Sequence, residues 1–169
     1  MMIRLMIFWL RKSWPMLMVV ISMLVAMVVP AGAQTANLAA GKPVTGSIAI
    51  QNAAFVTNGD KNTANYAGLE AGAQWIKIDL GASYSINQIN VWHYFGDGRT
   101  YRDVIVQVSN SSTFSSGLTT VFNNDTDNSA GQGAGSDAEY AETSAGKSIT
   151  FAPVSARYVR LWSNGSTSN

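Results

Sequence analysis

The sequence predicts an all-β domain, an antiparallel sandwich or jelly roll, and two observations carry that prediction. After residue 34, apolar residues alternate with polar ones in short runs, which is the period-two pattern of a strand with one buried face. No segment there sustains an apolar stripe of helical spacing, so helices do not supply the core. The predicted runs are Trp75–Leu80, a run containing Ile89, Val91 and His93, then Asp103–Asn110, Leu118–Phe122, Lys147–Phe151 and Arg157–Trp162.

Three of these runs show the alternation most clearly, and each has one predicted inward face. Gly, Ser, Thr and Asn are abundant between the runs, as expected of turns and surface loops. The inward positions are Ile76, Ile78 and Leu80 in the first run, Ile89, Val91 and His93 in the second, and Val104, Val106 and Val108 in the third.

Residues 1–33 differ sharply in composition from the rest of the chain. They hold 25 hydrophobic residues, all seven methionines and three of the eleven basic residues. Residues 34–169 are then about 40% hydrophobic with a net charge of −2, which suits one soluble domain. That charge excludes a globally basic nucleic-acid surface, and the length excludes a multidomain enzyme within this chain.

The first 33 residues have the order of a secretory signal peptide. A basic segment, residues 1–14, precedes the apolar run 16–29, and Ala31-Gly32-Ala33 places cleavage before Gln34. The apolar run is short for a membrane span. The alternative, an uncleaved anchor, would bury Arg11 and Lys12. We therefore expect a leader at 1–33 and an exported domain at 34–169, without membrane insertion after cleavage.

The interval Asn123–Gly146 is long for a connection without secondary structure. It lacks Val, Ile, Leu, Met, Phe and Trp, and it carries five acidic residues and no basic one. It is either a mobile acidic loop or one ordered by something polar. Its Asp125–Ser129 segment resembles the start of a calcium-binding loop, but Ala130 and Ser136 stand where that motif needs Gly and Glu. This difference favours a solvated loop.

The chain has no cysteine and a single histidine, His93. Thiolate metal sites and cysteine nucleophiles are therefore excluded, whereas oxygen-ligand metal sites remain open. No nucleophile stands in a motif such as G-x-S-x-G. We expect no enzymatic activity of this chain.

Five phrases in register resemble the discoidin domain, also called the coagulation factor V/VIII type C domain, whose bacterial members include galactose-oxidase-like carbohydrate-binding modules. The resemblance implies an eight-stranded antiparallel jelly roll over nearly all of residues 37–164. Family members continue into a loop and a final strand, so we expect a truncated product that lacks this closing strand. The phrases are Asn37–Val44, Asn58–Thr63, Trp75–Gly81, Ile86–Trp92 and Phe151–Leu161.

The resemblance also implies a structural calcium ion in the loop from Phe55 to Tyr66. The implied ligands are the Phe55 carbonyl with Asn58, Asp60 and Thr63. Asn58 stands where the family usually has Asp, which weakens the charge of the site. A plain Asn-Gly-Asp turn, which needs no metal, is the alternative.

For carbohydrate binding, the resemblance points to loops at one end of the sandwich. Aromatic faces and a few orienting polar groups are what a sugar site needs, and the segment from Trp92 to Tyr101 supplies both. The alternative is that His93 faces the core with Ile89 and Val91 and that Arg99 is simply solvated. The candidate residues are His93, Tyr94, Arg99 and Tyr101, with Trp162 and Asn164 further along the chain.

Taken with the leader, the resemblance implies a secreted, non-catalytic module that binds a glycan or polysaccharide and tethers an attached catalytic domain or surface protein. The competing hypothesis is a cell-surface adhesion module for protein or lipid head groups. Membrane-binding members present apolar spikes among basic residues. Here Leu69 and Phe95 are isolated and the domain is acidic, which favours the glycan.

Overall fold

The computed structural model describes residues 36–168 and the backbone of residues 3–9, and this part of the chain is all-β, as predicted. One short 3-10 helix, Ala53–Val56, interrupts the strands. No helix in the described part of the chain has the length and hydrophobicity needed to cross a bilayer. The strands are β1 (Ile3–Trp9), β2 (Ala36–Asn37), β3 (Val44–Gly46), β4 (Gln74–His93), β5 (Ile105–Ser109), β6 (Thr119–Asn123) and β7 (Lys147–Ser163).

Two long strands, β4 and β7, each combine two of the predicted runs. They pair antiparallel along their length, with register shifts between Asp79 and Tyr84 and between Ile86 and Gln88. Gly81 lies within the first shift at a φ of +87°, a conformation that glycine adopts without steric penalty, and its N–H donates to Asp79 Oδ1 at 2.8 Å. The irregularity bends both strands, as bulges do.

The bend lets β4 and β7 serve both layers of a sandwich. The first half of β4 lies between β3 and the second half of β7, and β5 and β6 extend that layer. The second half of β4 lies between β1 and the first half of β7, and β2 follows β1. A five-stranded layer and a smaller layer therefore share two continuous strands.

One hydrophobic core lies between the layers, and it contains the predicted inward positions. Each Ile, Leu or Val buried there contributes about 1.5–3 kcal/mol relative to its exposed state. His93 is also buried, on the face that it shares with Ile89 and Val91. The core strands contribute Ile76, Ile78, Leu80, Ile86, Ile89, Val91, Val106, Val108, Ile149, Val159 and Leu161.

The edge of β4 from Gln88 to His93 is paired with β1. β1 belongs to the predicted leader, of which the structure describes only this backbone; residues 1–2 and 10–35 lie outside the described residues. The signal peptide, its cleavage before Gln34 and the lack of a closing strand all stay predictions.

Candidate functional site

Three loops meet at one end of the molecule: residues 94–104 after β4, 124–146 after β6, and 164–168 after β7. Isolated bridges join Thr100 to Ala141 and Tyr101 to Ser166. Backbone hydrogen bonds reinforce them, including Asn164 N–H to the Arg102 carbonyl at 2.9 Å. We call this surface the three-loop end. Because the loops are hydrogen-bonded to one another, they form one continuous polar surface.

The long acidic loop is ordered by its own polar groups, so of the two alternatives for Asn123–Gly146 the second is found. Asp125 is fully buried, and its two carboxylate oxygens accept the N–H groups of Ser129 and Ala130, each at 3.0 Å. The Asn123 side chain donates to the Gly133 carbonyl at 2.8 Å. These side chains replace the strand pairing that the loop lacks, which is the usual solution for buried backbone groups.

A buried pair connects this loop to the sheet. His93 Nδ1 lies 2.6 Å from Glu142 Oε1, and the two side chains are 0% and 1% exposed. With Glu142 ionised, its carboxylate can only accept a hydrogen bond, and Nδ1 is then the donor. Tyr101 stacks on the imidazole at 4.3 Å between ring centroids. Burial raises the pKa of Tyr140, and the negative charge of Glu142 raises it further.

Tyr94 and Arg99 form a partly exposed pair in the first of the three loops, which we call the shelf. The Arg99 guanidinium lies 4.8 Å from the Tyr94 ring centroid. It also binds the Asp97 carboxylate, with Nε 2.8 Å from Oδ1. That hydrogen bond lowers the pKa of Asp97 and raises that of Arg99. Arg99 is therefore fixed in place rather than freely solvated.

Residues of all three loops line a polar cleft of about 370 Å³ that includes Asn164. Asp103, Asp125 and Asp127 each offer one carboxylate oxygen here, all within 4.8 Å of one another, close enough for a metal ion to join them. Ser129 lowers the pKa of Asp127 through its hydroxyl and N–H groups. The principal lining residues are Arg102, Asp103, Asn124, Asp127, Glu139 and Asn164.

The six predicted carbohydrate-binding residues are thus in three different settings. Tyr94, Arg99 and Asn164 reach the surface of the three-loop end. His93 and Tyr101 belong to the same end but are 1% and 2% exposed. Neither of these two side chains presents contact area to a ligand here, because both face the core.

Trp162 lies apart from the other five, on the outer face of the five-stranded layer. Its ring packs against Trp75 at 6.4 Å between centroids, and its indole N–H donates to Gln107 Oε1 at 3.2 Å. Asn164 follows only two residues later, but the strand has ended by then. Alternation along β7 therefore turns Trp162 away from the loops.

The predicted calcium loop is closed by its own side chains. Asn58 Oδ1 accepts the Asp60 N–H at 3.0 Å, and Asp60 Oδ1 accepts the Asn62 N–H at 2.8 Å. Asp60 Oδ2 accepts a hydrogen bond from the Asn65 amide at 2.8 Å. The loop thus has one carboxylate, with both oxygens engaged. Calcium takes six to eight oxygens, so backbone carbonyls would have to supply most of the ligands of a site here.

The sequence did not indicate Asp103 or Asn124, which line the cleft, or Glu142, the partner of His93. Asp125 and Asp127 did attract attention as a partial calcium motif. Asp103 lies some twenty residues earlier in the chain, at a φ of +52°, and spacing alone gives no signal for that juxtaposition. The only sequence signal was the position of Asp103 just before the strand Ile105–Ser109.

Comparison with known proteins agrees with this architecture. The sequence model of the F5/F8 type C family described as "NedA-like, galactose-binding domain" matches residues 55–161. No curated protein gives a significant sequence match. The CBM32 module of AlyQ, solved in complex with 4,5-unsaturated mannuronic acid, is 25% identical, with a TM-score of 0.57 over 75% of this chain and 84% of that one.

Two further solved structures share the fold. Truncated AlyQ, which contains CBM32 and alginate lyase domains, is 24% identical, with a TM-score of 0.53 over 75% of this chain and 28% of that one. A pectin-binding carbohydrate-binding module is 21% identical, with a TM-score of 0.52 over 75% of this chain and 81% of that one. The jelly-roll prediction is confirmed. With its family model matched over more than half its length, the chain belongs to the F5/F8 type C family as a NedA-like, galactose-binding domain.

Proposed function

We propose that the protein is a non-catalytic module that binds glycans at the three-loop end. The observation that carries this proposal is the three-loop end itself, where hydrogen-bonded loops combine an aromatic shelf with a polar cleft. Aromatic area with a few fixed polar groups is the composition of a sugar site. The similarity to the AlyQ module, crystallised with a sugar acid, supports the same reading.

Within this proposal the predicted residues divide into contact and positioning roles. Tyr94 offers ring surface, and Arg99 and Asn164 offer hydrogen-bond donors. His93 and Tyr101 are positioning residues, because they are buried, stack on each other and contact the acidic loop through Glu142. We propose no contact role for Trp162, because it lies on the outer face of the sheet, away from the loops.

We further propose that the module is exported and acts by tethering an attached enzyme or surface protein to polysaccharide. The order of basic, apolar and small residues in 1–33 supports export. The occurrence of a CBM32 module beside alginate lyase domains in truncated AlyQ is a precedent for the tether. Mass determination of the N-terminus in the culture medium tests export: Gln34 is expected, and a cell-bound full-length chain would contradict it.

Calcium at the Asn58–Asp60 turn stays a proposal with its own test. A ligand that binds only the folded state stabilises it by about 2.7 kcal/mol at 100 times its Kd, so calcium addition should raise the melting temperature. Loss of that shift in Asp60→Asn would support the turn. Loss in Asp127→Asn instead would assign calcium to the carboxylates of the cleft, and no shift in the wild type would exclude a structural ion.

A glycan array with protein expressed from the full coding sequence tests the function. We expect binding to one class of oligosaccharide, and we expect Tyr94→Ala or Arg99→Ala to weaken it about tenfold. Leu118→Ala is the control, since Leu118 is exposed and belongs to none of the three loops. Absence of binding to any glycan, together with capture of one defined surface protein, would favour the adhesion hypothesis.

A further inference from the structure

We infer that the cleft beside Asn164 is a sugar subsite that accepts uncharged or amine-bearing sugars and excludes uronates. This inference rests on the proposed glycan binding and specifies its substrate class. Three features of the cleft carry it: an unused buried donor, closely spaced carboxylate acceptors, and a strongly negative surrounding charge.

The unused donor belongs to Asn124, which lines the cleft and is 2% exposed. Its Oδ1 accepts the Val104 N–H at 2.6 Å, which fixes the orientation of the amide. Its Nδ2 has no hydrogen-bond partner among residues 36–168. A buried N–H without a partner is energetically costly, and a ligand oxygen that reached this donor from the cleft would remove that cost.

The acceptors are the carboxylates of Asp103 and Asp127. Asp103 Oδ2 accepts hydrogen bonds from Ser129 Oγ at 2.6 Å and from Asn164 Nδ2 at 2.9 Å. Asp127 is exposed at the mouth of the cleft and accepts the Ser129 N–H at 3.0 Å. Their remaining lone pairs can accept from a ligand, since an ionised carboxylate has about four acceptor positions.

This mixture of donors and acceptors distinguishes a hydroxyl-bearing ligand from a bare cation. A sugar hydroxyl can both donate to a carboxylate and accept from an amide N–H. Asn124 and Arg102 also line the cleft, and N–H groups such as theirs cannot coordinate a metal ion. The volume of about 370 Å³ is at the small end of ligand pockets, which suits a single sugar unit.

The charge of the three-loop end sets the specificity. Its loops carry seven carboxylate residues and two arginines, Arg99 and Arg102, and Arg99 is already paired with Asp97. Like charges brought together disfavour a complex, and opposite charges favour it. A uronate carboxylate is therefore repelled, whereas a protonated sugar amine is attracted.

Calorimetric titration with three trimers tests this inference: glucosamine, N-acetylglucosamine and mannuronate, below the pKa of the glucosamine amine. The protein is expressed from the full coding sequence. We expect glucosamine to bind about tenfold more tightly than mannuronate, with N-acetylglucosamine between them. Asp127→Asn should reduce this preference severalfold and raised salt should do the same. Glu70→Gln, the same charge change outside the cleft lining, should leave it unchanged.

The outcomes separate the two proposals. Equal or tighter binding of mannuronate, or an Asp127→Asn variant with unchanged preference, overturns the subsite while glycan binding stands. Loss of all sugar binding on calcium chelation, restored by calcium in the wild type but not in Asp127→Asn, shows a metal site and overturns it too. If no glycan on the array binds, the proposed function itself fails. The Asn124→Asp variant keeps an acceptor for the Val104 N–H and removes the amide donor. We expect it to bind the N-acetylglucosamine trimer more weakly than the wild type, and unchanged binding would count against the subsite.

Discussion

The buried His93–Glu142 pair gives the most demanding stability prediction. Glu142→Ala leaves the His93 imidazole in the core without its carboxylate partner. Leaving this buried Nδ1 donor without its acceptor costs about 1–3 kcal/mol, and more where the lost partner is charged, so we take about 3 kcal/mol. Glu142→Gln keeps a carbonyl oxygen for the Nδ1 proton and exchanges a charge-assisted hydrogen bond for a neutral one, at about 1 kcal/mol.

Those free energies convert into measurable shifts. For a domain of this size, 1 kcal/mol corresponds to about 3 °C in melting temperature. We therefore expect calorimetric scans to show losses of about 10 °C for Glu142→Ala and about 3 °C for Glu142→Gln. Hydrogen exchange should also accelerate across residues 124–146, because Glu142 connects this loop to β4.

The matched control is Glu139→Ala, on the same loop three residues earlier, where the side chain is exposed. It should change the melting temperature by no more than about 1 °C, as surface substitutions usually do. Equal stability of Glu142→Ala and Glu139→Ala would refute the reasoning, since the buried pair would then contribute nothing.

Three other stability predictions follow from single contacts. Gly146→Ala should destabilise the fold by at least about 1–2 kcal/mol, because Gly146 has a φ of +73° and a Cβ there would overlap the Trp92 indole; Gly133→Ala, strained but unobstructed, should cost less in the same urea titration. Burial raises the pKa of Tyr140, so stability should fall as pH rises above about 10, and Tyr140→Phe should remove that loss. The hydrogen bonds from the Arg157 guanidinium lower the pKa of Asp79. The stabilisation by this ion pair is therefore present above the unfolded-state pKa of Asp79 and is lost as the pH falls through its folded-state pKa. Acid titration of the Asp79→Asn variant should lack this loss of stability.

Much of the fold could be predicted because period-two alternation is a local property. Ile76, Ile78 and Leu80 alternate with polar neighbours whatever lies across the sheet, and their burial follows directly. Alternation does not predict whether two neighbouring runs belong to one continuous strand. The runs before and after Gly81 read as separate strands, whereas a bend at that glycine joins them into β4.

The site was less predictable because it depends on contacts between distant segments. Tyr94 and Arg99 are five residues apart and were found together. Asp103 and Asp127 meet only because the loops after β4 and β6 close on each other. His93 illustrates both cases. Its alternation with Ile89 and Val91 predicted burial correctly, whereas its place in the aromatic segment from Trp92 to Tyr101 predicted contact with a carbohydrate.

Amide chemical-shift mapping during titration with an oligosaccharide that binds on the array tests the central claim most directly. Binding at the three-loop end predicts perturbations confined to residues 94–104, 124–146 and 164–168, and saturating with a single dissociation constant. Perturbations centred on the outer sheet face around Trp75 and Trp162, with the three loops unchanged, would contradict the account.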